Sequence, residues 1–204
     1  VYDDCVSGLF PTQADAQRRA AACSAALQSR QLTPEEIALA RLTRGIARTA
    51  LGDKALAGED YTEAVQRYDQ LIDPTHPDSL ALYRRAAALA ASGQTDKALA
   101  EIAAVIARDP ERARAFRARG EIMRQLGKTE AAFEALNRAI RLEPENANAY
   151  ETRGNVFNNA GKYDRAIEDY NEALRLNPDF AQAFSDRGAA WYFKGEYQKA
   201  IADY

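Results

Sequence analysis

Arg114, Arg117 and Arg124 lie three and seven residues apart, so on a helix their guanidinium groups share one face. Three such groups favour a carboxylate or an acidic side chain, unless Glu121 between them takes up the charge. Asn155, Asn158 and Asn159 crowd a second stretch. Their amides both donate and accept, which suits a partner's backbone without demanding a side-chain type. Cys5 and Cys23 are the two cysteines; they either close a disulfide onto a helix or stay as thiols, one buried as a small apolar group. Catalytic constellations are not found. His76, the single histidine, stands in Asp73-Pro74-Thr75-His76-Pro77-Asp78 with no Cys/His cluster at ligand spacing, and reads as a solvated loop residue. Glu143, Glu145 and Asp164 sit at helix starts, where the helix dipole accounts for them. The chemistry on offer is recognition, with no catalytic residue, metal or cofactor expected.

Those side chains need a scaffold, and the composition says which kind. The 204 residues are 28% charged and 47% hydrophobic, rich in alanine and sparse in β-branched residues, which points to a soluble all-α protein. A net charge of −3 gives no bulk reason to expect nucleic acid. No apolar run approaches the roughly 20 residues that cross a bilayer, so the chain is not expected to be membrane-embedded. The first residue is valine, which fits either a removed leader or a trimmed chain.

Four ladders of residues recur at 34-residue spacing. Gly120, Gly154 and Gly188 form one, with Ala86 in the same place a period earlier. Gly93, Gly127, Gly161 and Gly195 form the second, Ala98, Ala132, Ala166 and Ala200 the third, and Pro110, Pro144 and Pro178 the fourth. Ala149–Tyr170 and Ala183–Tyr204 are identical at nine of 22 positions. Between the ladders, apolar residues follow helical spacing, as in Ala132, Phe133, Leu136 and Ile140. The second glycine ladder suits a sharp turn after one helix, and the prolines stop the next. Each period is therefore a helix pair too short to bury its own apolar face, stable only when stacked.

These units resemble the tetratricopeptide repeat. In the unit from Ala147 the motif positions are held by Tyr150, Gly154, Phe157, Ala166, Tyr170, Ala173 and Pro178; the units from Ala113 and Ala181 match as well, and the one from Ser79 more loosely. The resemblance implies a right-handed superhelical solenoid of antiparallel helix pairs. It divides into a lead and capping helix over 1–33, a repeat-like unit over 34–78, repeats over 79–112, 113–146 and 147–180, and an incomplete repeat over 181–204. In the first unit, Tyr61-Thr62-Glu63-Ala64-Val65 looks like Tyr163-Asp164-Arg165-Ala166-Ile167. That match leaves seven extra residues after Gly45 and predicts an elongated first helix or loop around Gly52–Asp60. The stop at Tyr204 reads as a truncation, a cleavage or a docking end.

The resemblance also implies that the first helix of each pair lines a concave groove holding a polypeptide. Carried onto this chain, the groove presents Leu42, Ile46, Tyr83, Arg114, Arg117, Glu121, Arg124, Asn148, Asn155, Asn158, Asn159 and Tyr192. The expected role is a non-catalytic scaffold or adaptor for a protein or peptide, acidic where it meets the arginines. The two-carboxylate clamp known in the family is not expected, because Glu151 stands where a lysine is needed beside Asn155. The alternatives are a regulatory or substrate-presenting arm of a larger enzyme, and self-association through the C-terminal helix. The Asp-Asp-Cys lead before an alanine-rich Cys helix resembles repeat proteins exported by Gram-negative bacteria, which implies a periplasmic or secreted location.

Overall fold

The computed structural model describes residues 2–6, 13–29, 31–73 and 79–204; His76 and its loop lie outside them. Among the described residues every regular element is a helix. They fall into two compact units, residues 1–108 and 109–204.

The first unit holds α1 (Tyr2–Val6), α2 (Gln13–Gln28), α3 (Pro34–Ala50), α4 (Lys54–Leu71), α5 (Ser79–Ala91) and α6 (Thr95–Arg108). Here α3 starts on a capping box: Thr33 Oγ1 accepts from the Glu36 amide, the Glu36 carboxylate accepts from the Thr33 amide, and Pro34 opens the first turn. The lone capping helix expected at the N-terminus has company, because the short α1 packs on α2 and α3. Cys5 on α1 and Cys23 on α2 are buried beside Ala40 with their Cα atoms 4.6 Å apart and their sulfurs at bonding distance.

The register expected for the first unit is corrected. Gly45 packs on Tyr61, sixteen residues on, as Gly154 packs on Tyr170. Tyr61 therefore holds the place of Tyr170 and not of Tyr163, and the turn glycine Gly52 holds the place of Gly161. Nothing is inserted around Gly52–Asp60. The first helix is longer, 17 residues against 13, but at its start. The added spacing before the next repeat lies beyond Arg67, where α4 runs on to Leu71, 18 residues against 14.

The second unit holds α7 (Ala113–Gln125), α8 (Thr129–Leu142), α9 (Ala147–Asn159), α10 (Tyr163–Leu176), α11 (Ala181–Phe193) and α12 (Tyr197–Asp203). A Cβ added at Gly154 would lie 2.6 Å from the Tyr170 ring, so the first-ladder glycine lets α9 and α10 approach closely. Gly161 has φ +69°, the left-handed conformation that closes the turn between them, and Lys162 returns its amide to the Phe157 carbonyl at 2.9 Å. Ala166, Ile167, Tyr170 and Ala190 form one buried cluster; Ala147, Ala173, Leu174, Phe180 and Ala183 form another that joins successive pairs. Every cluster draws on more than one helix pair, which is why no pair stands alone.

A ladder of ion pairs runs beside these cores. In four of the repeat units an arginine of the first helix grips a carboxylate sixteen residues later, on its own second helix. Arg153 donates to Asp169 through Nε and Nη2 at 2.8 and 2.7 Å, and Arg187 to Asp203 at 2.8 and 2.6 Å. Arg85 binds Glu101 at 3.0 Å, and Arg44 binds Asp60 at 2.9 and 2.7 Å. The third guanidinium nitrogen often reaches back sixteen residues, from Arg153 to Asn137 and from Arg187 to Asn171, each at 2.7 Å. Two parallel N–H···O bonds fix the angle between the paired helices as well as their contact.

A candidate partner-binding face on the first helices

In the second unit, α7, α9 and α11 are neighbours, and side chains from all three meet in one polar cluster. Its anchor is on α7, where Arg124 donates to both oxygens of Glu121, at 2.8 and 2.6 Å. Gln125 adds a further bond to the same carboxylate at 2.8 Å. The charge of Arg124 is thus largely spent within its own helix. Arg117 is half-buried and Arg114 exposed. The expected three-guanidinium cluster is not an open one.

On α9 the arrangement continues inward. Asn155 donates to Glu151 Oε1 at 2.6 Å and accepts from the hydroxyl of the buried Tyr170 at 2.6 Å, so core and face are linked through one amide. Thr152 donates to Glu151 Oε2 at 3.2 Å. Asp186 on α11 accepts from Gln182 at 2.9 Å through Oδ1, and its carboxyl lies within hydrogen-bonding reach of the Glu151 carboxyl. Burial first, and then the negative charge of Asp186, push the Glu151 carboxyl up to about 7. Burial also raises Asp186, against the pull of Gln182 and Arg124. A single proton on Glu151, donated toward Asp186, satisfies both carboxyls without placing two like charges side by side.

The face thus offers acceptors as well as donors. Asn158 Oδ1 is a buried acceptor without a donor, while Asn148 and Asn159 are exposed. Near the start of these helices a depression of roughly 760 Å³ is lined by Arg114, Asn148, Asn146, Glu145 and Leu176. At the far end Tyr192 is 56% and Phe193 60% exposed, with Tyr192 edge-on to Phe193 and the Phe193 ring stacked on Tyr163.

The other expected residues divide. In the first unit Ile46 is exposed and Tyr83 half-buried, but Leu42 is 5% exposed, packed with Ala57, Tyr61 and Ala64. The core takes Leu42 because its side chain points between α3 and α4, so it is no surface residue. Asp186 was not among the expected residues, since it stands one place off the helical stripe that marks the face. Its neighbour Glu151 on α9 is what draws it in. Among the described residues no cluster of three metal-ligating side chains occurs, and no helix is long and apolar enough to cross a membrane.

Sequence-family comparison matches residues 55–122 to the tetratricopeptide repeat and residues 120–161 and 154–193 to the TPR repeat. The crystal structure of MamA is 27% identical over 75% of this chain and 90% of its own, with a TM-score of 0.59. A second MamA structure, 24% identical, covers 83% of this chain and 87% of its own at 0.55. MamA from residue 41 to its end, from Desulfovibrio magneticus RS-1, shares the fold at 17% identity and a TM-score of 0.55, over 84% of this chain and 92% of its own. No curated protein matches the sequence.

Proposed function

Because the chain belongs to the tetratricopeptide repeat family, we propose that it is a protein–protein interaction scaffold without catalytic activity of its own, holding an extended polypeptide on the first-helix face of its second unit. The observation that carries this reading is the convergence of Arg124, Glu151, Asn155, Asn158 and Asp186 from the first helices of three successive pairs into a hydrogen-bonded surface that still holds a buried acceptor without a donor, Asn158 Oδ1. A backbone N–H group of the partner meets that acceptor. An acidic residue of the partner suits the exposed Arg114 end.

Selection of peptides from a display library tests the reading. Selected peptides are expected to lose at least about tenfold in affinity, or roughly 1.4 kcal/mol, when Asn158 and Asn159 are both changed to Ala. Arg165→Ala, on the exposed side of α10, should leave affinity unchanged. Equal losses in both variants, or a loss only in Arg165→Ala, refute the assignment.

We further propose an oxidising compartment, the periplasm or outside the cell, on the support of the Cys5–Cys23 pair. A disulfide between Cys5 and Cys23 would clip α1 to α2 where a short helix has little core of its own. Intact mass should fall by about two hydrogens relative to the reduced chain. An unchanged mass in protein purified from its native compartment excludes the bond and removes the support for that location.

A further inference from the structure

The arginine ladder has one broken rung. Arg119 is the seventh residue of the repeat over 113–146, the place held by Arg85, Arg153 and Arg187 in its sister repeats. Those three and Arg44 each grip a carboxylate sixteen residues later. Sixteen residues after Arg119 the chain has Ala135, and sixteen before it Ala103, so neither side offers an acceptor. Among the described residues the Arg119 guanidinium makes no hydrogen bond or ion pair. The aromatic ring is taken as well: Arg153 and Arg187 lie over Tyr150 and Phe184 of their own repeats, but Phe116 is covered by Arg138.

Around the empty rung lies a cavity of roughly 210 Å³ between α7 and α8, lined by Phe116, Arg119, Glu134, Ala135, Arg138 and Arg141. Three guanidiniums face one carboxylate there, and Glu134 forms no ion pair with any of them. The half-buried Arg119 guanidinium is met by solvent in the free chain, and its fork geometry is complementary to a carboxylate.

We propose that this cavity is a second recognition site, distinct from the first-helix face, which takes an acidic side chain of a partner polypeptide in the place that Asp169 and Asp203 fill from within the chain. The partner's carboxylate completes the rung on Arg119, and Arg138 and Arg141 supply the surrounding positive field. The site selects Asp or Glu because the sister rungs show which group an arginine at this position grips.

The test follows the Arg119 Nε–H resonance of the whole chain during titration with an end-capped tetra-glutamate peptide. A saturable shift is expected, with none for tetra-glutamine. In Arg119→Gln, binding read from the Arg138 resonance should weaken at least about fivefold. In Ala135→Asp, which rebuilds the rung, the Arg119 resonance should already stand at its bound position, and tetra-glutamate should no longer move it. Undiminished binding in Arg119→Gln overturns the proposal, as does an Ala135→Asp chain whose Arg119 still responds to the peptide. A phosphoserine peptide that acts at fivefold lower concentration than tetra-glutamate overturns the choice of ligand. Should Ala135→Asp not fold, the Arg119→Gln titration decides alone.

Discussion

Asp60→Ala is expected to destabilise the first unit by about 3–5 kcal/mol, the cost of removing one partner from a buried charge cluster. Asp60 is fully buried and binds three arginines from one face of α3. Arg44 grips it through two nitrogens, Arg48 donates to Oδ2 at 2.7 Å, and Arg41 to Oδ1 at 3.1 Å. Without the carboxylate, three guanidiniums lose their common acceptor and repel one another at close range. Hydrogen exchange reads the effect where it occurs. Peptides covering α3 and α4 should exchange more than about 100-fold faster than in the wild type, whereas α9 and α10 are unchanged. Asp60→Asn keeps the shape and one acceptor and should fall between. Wild-type exchange in Asp60→Ala would mean that the arginines find water as good a partner as Asp60.

Glu151→Gln is expected to do the opposite at high pH. The Glu151 carboxyl is raised from 4.5 to about 7 in the folded chain, so it holds a proton that the unfolded chain has already released. Its contribution is fully present below about pH 4.5 and is lost as pH rises through 7; across that window the unfolded state binds fewer protons, and stability falls. Glutamine mimics the protonated acid. It accepts from Asn155 and donates toward Asp186 at every pH. The variant should match the wild type near pH 4.5 and exceed it by about 2–3 kcal/mol at pH 8, with most of the gap opening between pH 5 and 7.5. Urea unfolding followed by Trp191 fluorescence measures it, since the single tryptophan packs in the same unit. A gap that does not change with pH would show that Glu151 and Asp186 share no proton.

These effects also mark what the sequence made readable. The helix pairs were legible because glycine and alanine ladders have one mechanical reason each, a turn or a close approach, and recur at one spacing. In the first unit the local likeness of Tyr-Thr-Glu-Ala-Val to Tyr-Asp-Arg-Ala-Ile points to the wrong register, and the spacing of sixteen from glycine to ring points to the right one. Gly45 and Tyr61 already carried that spacing. The arginine rungs were equally present, at sixteen residues each, but an ion pair leaves no hydrophobic period by which to notice it. The positions of the first-helix face were carried over from the repeat resemblance. Its internal bonding was not legible: whether Arg124 is open or tied to Glu121 depends on side-chain rotamers, and the raised Glu151 depends on the burial that α11 brings to it.

Photo-crosslinking of a selected peptide tests the central claim most directly. Benzoylphenylalanine is placed singly at Asn148 and Asn159 on α9, and at Arg165 and Arg175 on α10, all four exposed. A scaffold that binds through its first helices gives peptide adducts from the α9 positions and none from α10. Adducts confined to Arg165 and Arg175 would place the partner on the second helices and contradict the account.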